Sequence, residues 1–183
     1  MVKIGIIGGT GLYDPELMKS AELKKVNTPF GHTSGMLTVG KYEGVDLVVL
    51  PRHDAYHRMM PTDINYRANI WAMKELEVTH ILAPNAVGSL QNHIKPGEIV
   101  FPDQFIDRTT KRRSTFYEGD AVCHISAADP FCETLRSILV KSAKELKLKF
   151  HPKGIAIVIE GPRFSTRAES NLFKSWKADI INM

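Results

Sequence analysis

Four short segments carry side chains and backbone suited to holding an anion and a ring-bearing ligand. Gly8-Gly9-Thr10-Gly11 combines backbone that can approach an anion closely with one hydroxyl beside turn N–H groups. It is not a dinucleotide fingerprint, because GxGxxG is absent, and it is not a Walker loop, because no Gly-Lys-Ser/Thr follows. Arg52-His53 suits a dianion, the guanidinium binding it bidentately and the imidazole through one hydrogen bond. Asn85-Ala86-Val87-Gly88-Ser89 offers N–H groups with little side-chain bulk, which fits a ribose and phosphate or simply a close helix–strand contact. In Glu160-Gly161-Pro162-Arg163-Phe164-Ser165, Phe164 is placed to stack on a base and Ser165 to cap the next helix. Each has a plain structural reading: a tight turn, a solvated pair, a packing contact, a helix cap. Together, at successive strand ends, they favour a nucleotide-like ligand plus phosphate, since ligands of open α/β sheets bind outside the carboxyl ends of strands.

The elements that must position these segments follow from apolar spacing. Val2 to Ile7 reads as a buried strand emptying into the glycine-rich turn. Met36 to Tyr42 and Val45 to Leu50 read as a hairpin around Glu43-Gly44, its second strand ending at Pro51-Arg52-His53. Thr62 or Asp63 is expected to cap a helix through Ala68, Trp71, Ala72, Glu75 and Leu76, followed by a strand from His80 to Ala83. Phe131 to Leu146 recurs at helical spacing, Ile155 to Ile159 is another apolar strand, and a last helix from Ser165 to Trp176 leads into Asp179-Ile180-Ile181-Asn182-Met183. This alternation predicts an α/β fold: one domain over residues 1–183, with a central mixed β-sheet flanked by helices. The chain stops within what reads as one more strand, which would leave a sheet edge unpaired; a truncated version of a longer protein, with its C-terminal part missing, is expected.

Composition narrows the function classes. A net charge of +4, with Lys and Arg dispersed among Asp and Glu, speaks for a small anion over nucleic acid. Cys123 and Cys132 form no CxxC pair, and His57, His80, His93 and His151 have no metal-ligand spacing, so no metal site is expected. No stretch approaches about 18 consecutive apolar residues and no signal-peptide pattern opens the chain, so a cytoplasmic protein without membrane attachment is expected. Trp71 and Trp176 fall on apolar stripes and are expected in the core; Lys111-Arg112-Arg113 reads as a solvated loop face, with the border of an anionic cleft as the alternative.

These residues resemble the trimeric nucleoside phosphorylases, the family that includes the methylthioadenosine phosphorylases. The matching stretches are Ile4 to Leu12, Pro51-Arg52-His53, Ile64 to Ala72, Asn85 to Leu90, Asp103 to Thr109 and Glu160 to Ser170, in the family's order. The resemblance implies that Thr10, Arg52, His53, Asn85 and Ala86 bind phosphate, with Ala86 also beside the sugar and purine. It implies that Phe164 packs on the base, that Met183 lies against the ribose, and that Ser165 stands where 6-oxopurine enzymes generally place Glu. It further implies a homotrimer in which His124 reaches the neighbouring subunit's pocket near the 5′ substituent.

The chemistry implied is phosphorolysis: phosphate attacks C1′ of a purine nucleoside as the glycosidic bond breaks, without metal or organic cofactor, phosphate being a co-substrate. The dianion stabilises the ribosyl cation, and the leaving purine takes a proton at N7. The family's purine-protonating Asp and a further phosphate-binding Thr are expected beyond Met183, so no catalytic residue is assigned within the chain. Ser165 and the Val122-Cys123-His124-Ile125 stretch favour an adenine-bearing methylthioadenosine substrate. Inosine, guanosine or methylthioinosine is the alternative compatible with Asn85, and an inactive truncated homologue that binds ligand or assembles with a partner is the alternative of another class. Asp54 stands where Gly usually follows Arg-His and is expected to weaken phosphate binding by repulsion.

Overall fold

The computed structural model describes residues 1–9, 18–54 and 56–183, which divide into two compact units. The first comprises Met1–Asn85 with Arg113–Phe116. Its strands are β1 (Lys3–Gly8), β2 (Lys19–Lys24), β3 (Leu37–Tyr42) and β4 (Val45–Pro51), followed by helix α1 (Tyr66–Glu75) and β5 (His80–Leu82). They form one mixed sheet in the order β2-β3-β4-β1-β5. The hairpin read between β3 and β4 is present, and Glu43 (φ 46°) with Gly44 (φ 83°) supplies the pair of positive φ angles that a two-residue hairpin turn requires.

Register decides where this unit's loops emerge. β1 runs parallel to β4, with Gly8 opposite Pro51, and parallel to β5, with Ile6 opposite Leu82. The chain therefore leaves all three strands at one edge of the sheet, toward Gly9, Arg52 and Asn85. The core beneath is Leu37, Val48, Leu50, Ala72 and Met73. α1 contributes Ala68, Asn69, Ala72 and Met73 from one face, the spacing of an amphipathic helix. Its cap is Asn65, whose side chain accepts from the Ala68 N–H, and not Thr62 or Asp63. Those two residues lie in a short 3-10 turn, Pro61–Asp63, that ends before the helix begins.

The second unit, Ala86–Arg112 with Tyr117–Met183, holds β6 (Gly88–Ser89), β7 (Ile99–Val100), β8 (Gln104–Asp107), α2 (Glu133–Glu145), β9 (Phe150–His151), β10 (Ile155–Val158), α3 (Arg167–Ser175) and β11 (Ile180–Asn182). β6-β11-β10-β8 is a second mixed sheet, parallel except for β6, and β7 pairs with β9. Ile157, Phe173 and Ala178 bury α3 against it. The α/β class with mixed sheet and flanking helices is therefore what the chain adopts, the strands of the described residues being hydrogen-bonded as two mixed sheets and one pair.

Local corrections concern ends. The segment read as a loop over Asn85 to Ser89 closes with β6. β11 has no unpaired edge, because it lies between β10 and β6. α3 starts later than expected: Thr166 is its cap and Ser165 precedes it, because Thr166 and Glu169 form a reciprocal capping box that Ser165 lacks the spacing to make. Trp71 is half-buried, edge-on to Phe30, whereas Trp176, just past the end of α3, is 41 % exposed rather than in the core.

Candidate functional site

In the first unit the loop after β4 is folded by its own hydrogen bonds. The Arg52 N–H donates to the Gly8 carbonyl (2.9 Å), continuing the β1/β4 ladder one residue past the strand. The guanidinium is then held twice. Its Nε–H donates to His53 Nε2 (3.2 Å), and Nη1 donates to the Pro84 carbonyl (3.2 Å), beside Asn85. Gly9 makes room for it: a Cβ there would lie 3.1 Å from Nη2. Among the described residues Nη2 has no hydrogen-bond partner and no carboxylate pairs with Arg52. Burial pulls the guanidinium below its ordinary pKa, with the Tyr66 phenol opposing. A partly desolvated cation with an N–H edge that no described residue takes up has the chemistry to hold an anion.

His53 is held by the same loop. Its Nδ1 lies 2.8 Å from the Met59 carbonyl, which only accepts, so Nδ1 carries the proton and Nε2 is the acceptor for Arg52. Both ring nitrogens are thus engaged inside the loop, and the imidazole orients the guanidinium. Burial lowers the His53 pKa first; the Met59 bond works against this, while Arg52 and His57 add to it. The neutral ring is the form this geometry needs.

Asp54 does not act as a free carboxylate either. It accepts from Arg58 Nε (2.8 Å) and from the Tyr56 and Arg58 N–H groups. Partial burial pushes its pKa up, but these bonds outweigh that and hold it below the ordinary value. Its φ of 64° explains why glycine suits the position; Asp is among the residues that tolerate it. The Asp54 carboxylate is therefore engaged in a local ion pair with Arg58. Thr10 lies outside the described residues. Asn85 and Ala86 are exposed.

In the second unit the carboxyl ends of β8, β10 and β11 also share an edge, because the three strands are parallel. Phe164 is 84 % exposed, leaving its ring face open, and Ser165 Oγ hydrogen-bonds Ser170 Oγ (2.8 Å). Met183 is half-buried and packs on Gly161, where a Cβ would lie 2.7 Å from its Sδ. His124 is exposed in an irregular segment. A cavity of about 320 Å³ lined by residues including Arg108, Glu160, Arg163, Glu169 and Trp176 takes in none of Phe164, Ser165, Met183 or His124.

Arg112, within the run read as a solvated loop face or the border of an anionic cleft, is not on a solvated face. Its side chain is only 11 % exposed and donates to Glu160 Oε1 (3.2 Å) and to the carbonyls of Met183 (3.2 Å), Glu160 (3.1 Å) and Ile159 (3.4 Å). No local pattern announces a contact with a partner 48 residues away. Among the described residues no group of three or more His, Cys, Asp or Glu is arranged to hold a metal ion.

In each unit the parallel strands of an α/β sheet bring their carboxyl ends to one edge, the place where such sheets bind ligands. The chain belongs to the phosphorylase superfamily, whose family model matches residues 3–183. It is 54% identical to S-methyl-5'-thioadenosine phosphorylase of Xenopus tropicalis, over 100% of this chain and 67% of that protein. The enzyme of the same name from Pyrococcus furiosus is also 54% identical, over 100% of this chain and 70% of its own. Among solved structures, a variant of the adenosine/methylthioadenosine phosphorylase of Schistosoma mansoni in complex with methylthioadenosine matches with a TM-score of 0.95 at 44% identity, over 100% of this chain and 71% of that one. The methylthioadenosine phosphorylase of that organism in complex with adenine matches equally, with 74% of it covered.

Proposed function

We propose that this protein catalyses phosphorolysis of S-methyl-5'-thioadenosine to adenine and 5-methylthioribose 1-phosphate. The observation that carries the reading is the Arg52 guanidinium, fixed by His53 and the Pro84 carbonyl, with an edge that no described carboxylate occupies. Relatives 54% identical over the whole chain and bearing that enzyme's name support the choice of substrate.

In this reading Thr10, Arg52, Asn85 and Ala86 hold inorganic phosphate as co-substrate, with His53 acting on it through Arg52. Phe164 packs on the purine, Met183 lies against the ribose, and Ser165, which brings no carboxylate to the base edge, suits adenine. Held as a dianion, phosphate attacks C1′ and stabilises the ribosyl cation that forms as the purine leaves with a proton at N7. No metal or organic cofactor takes part. The working form is a homotrimer in which His124 reaches the neighbour's pocket, and the location is cytoplasmic. No helix among the described residues is long and apolar enough to cross a membrane.

The test is release of adenine from methylthioadenosine by the purified protein with and without phosphate, with inosine assayed alongside. Adenine release that depends on phosphate, and slower cleavage of inosine, is expected. Arg52→Ala should raise KM for phosphate about hundredfold, the loss usual when one partner of a desolvated charge pair is removed. Release that ignores phosphate, or preference for inosine, overturns the reading.

A further inference from the structure

We infer that Arg112 is a positioning residue for the sugar end of the site: its guanidinium, fixed on Glu160, holds the main chain of Met183 at the exit of β11. The inference rests on the proposed function in one respect, the placing of Met183 against the ribose.

The geometry is that of a planar fork reaching acceptors on two strand exits. Nε addresses the Glu160 carboxylate, Nη1 the Met183 carbonyl after β11, and Nη2 the Glu160 and Ile159 carbonyls after β10. Glu160 is itself fixed, since Oε2 accepts the N–H groups of Thr110 (2.6 Å) and Lys111 (3.0 Å). The loop after β8 is thereby tied to the two neighbouring exits. Met183 is gripped a second time by its side chain, which packs on the bare Cα of Gly161. Met183 is therefore held at both its main-chain oxygen and its side chain.

Ion pairs as sheltered as this one, with 11 % and 19 % of the side chains exposed, contribute little net stability, because desolvation offsets most of the attraction. What the pair supplies is direction. A lysine has the charge but, as a compact point donor, cannot address the carboxylate and carbonyls of two exits at once. Replacing Arg112 by Lys should thus keep the fold and loosen Met183.

Arg112→Lys, Arg112→Met and Glu160→Gln, in the full-length protein, test this against wild type. Steady-state kinetics should show KM for methylthioadenosine raised at least about tenfold in Arg112→Met, less in Arg112→Lys, with KM for phosphate within about twofold of wild type. Amide hydrogen exchange should quicken in the segment ending at Met183 and remain as in wild type at α1. An unchanged nucleoside KM in a folded variant, equal losses for both substrates, or unchanged exchange at the β11 exit overturns the inference. So does failure of all three variants to fold, which would make the role purely structural. Inactivity of the wild type toward methylthioadenosine instead overturns the proposed function, and the exchange comparison still decides whether Arg112 holds Met183.

Discussion

Arg52 Nε–H donates to His53 Nε2 across 3.2 Å, while the opposite ring nitrogen meets the Met59 carbonyl at 2.8 Å. A carbonyl accepts only, so the tautomer is determined: proton on Nδ1, lone pair toward arginine. The imidazole is a strut between a backbone oxygen and a guanidinium, and the cation it steadies is the one proposed to meet phosphate.

Removing the strut should therefore weaken phosphate binding without touching the nucleoside. His53→Ala is expected to raise KM for phosphate about tenfold, the scale of one lost hydrogen bond to a charged group, with KM for methylthioadenosine little changed. Steady-state kinetics with each substrate varied in turn measures both. Parallel rises in the two constants would argue against the strut.

The same ring should make the fold sensitive to mild acid. His53 has a folded pKa below the ordinary 6.5, chiefly because burial disfavours the charged ring. A depressed histidine binds fewer protons folded than unfolded, so its contribution to stability is complete above 6.5 and is lost as pH falls through the folded value. Melting temperature followed from about pH 7.5 to about pH 5 should fall more steeply in wild type than in His53→Gln, which has no proton to gain. Parallel curves would show that His53 does not titrate differently in the two states.

Helix α3 should depend on its first turn. Thr166→Ala removes one half of the capping box and is expected to cost about 1 kcal/mol in denaturant unfolding. The other half, Glu169, has its pKa lowered to about 2 by the side-chain bond from Arg163 first and the Thr166 N–H next. A lowered carboxylate stabilises above its ordinary 4.5 and loses that contribution as pH falls toward about 2. Glu169→Gln should flatten that part of the acid unfolding curve.

A buried polar pair underlies α1. Asn69, 2 % exposed, accepts from the Ser34 N–H and donates to the Ser34 hydroxyl, each at 2.9 Å. Asn69→Ala leaves both Ser34 groups without their partner, and a loss of about 1–3 kcal/mol is expected by chemical denaturation. A smaller loss would mean that water enters to replace the amide.

Much of this architecture was legible because it is local. The β3–β4 hairpin declares itself in two β-prone runs around Glu43-Gly44, and β1, β10 and α1 in their apolar spacing. Element ends were harder. Asn65 caps α1 although Thr62 and Asp63 are chemically as good, because the turn at Pro61–Asp63 ends short of the helix. Thr166 outcompetes Ser165 because only Thr166 has Glu three residues on. β8, with two apolar residues between Gln104 and Asp107, is too short for alternation to reveal and is recognised only from its pairing with β10.

The sequence alone determined the α/β class, the segments that emerge at strand ends, and the residue types that suit an anion beside a nucleoside, since all three depend on neighbours along the chain. Tertiary structure decided what those residues do. Arg52 finds the Pro84 carbonyl 32 residues away, His53 turns its ring inward, and Arg112 leaves solvent for Glu160 and Met183. Hydrogen-bond direction and burial are properties of partners brought together by folding, and linear spacing carries no record of them.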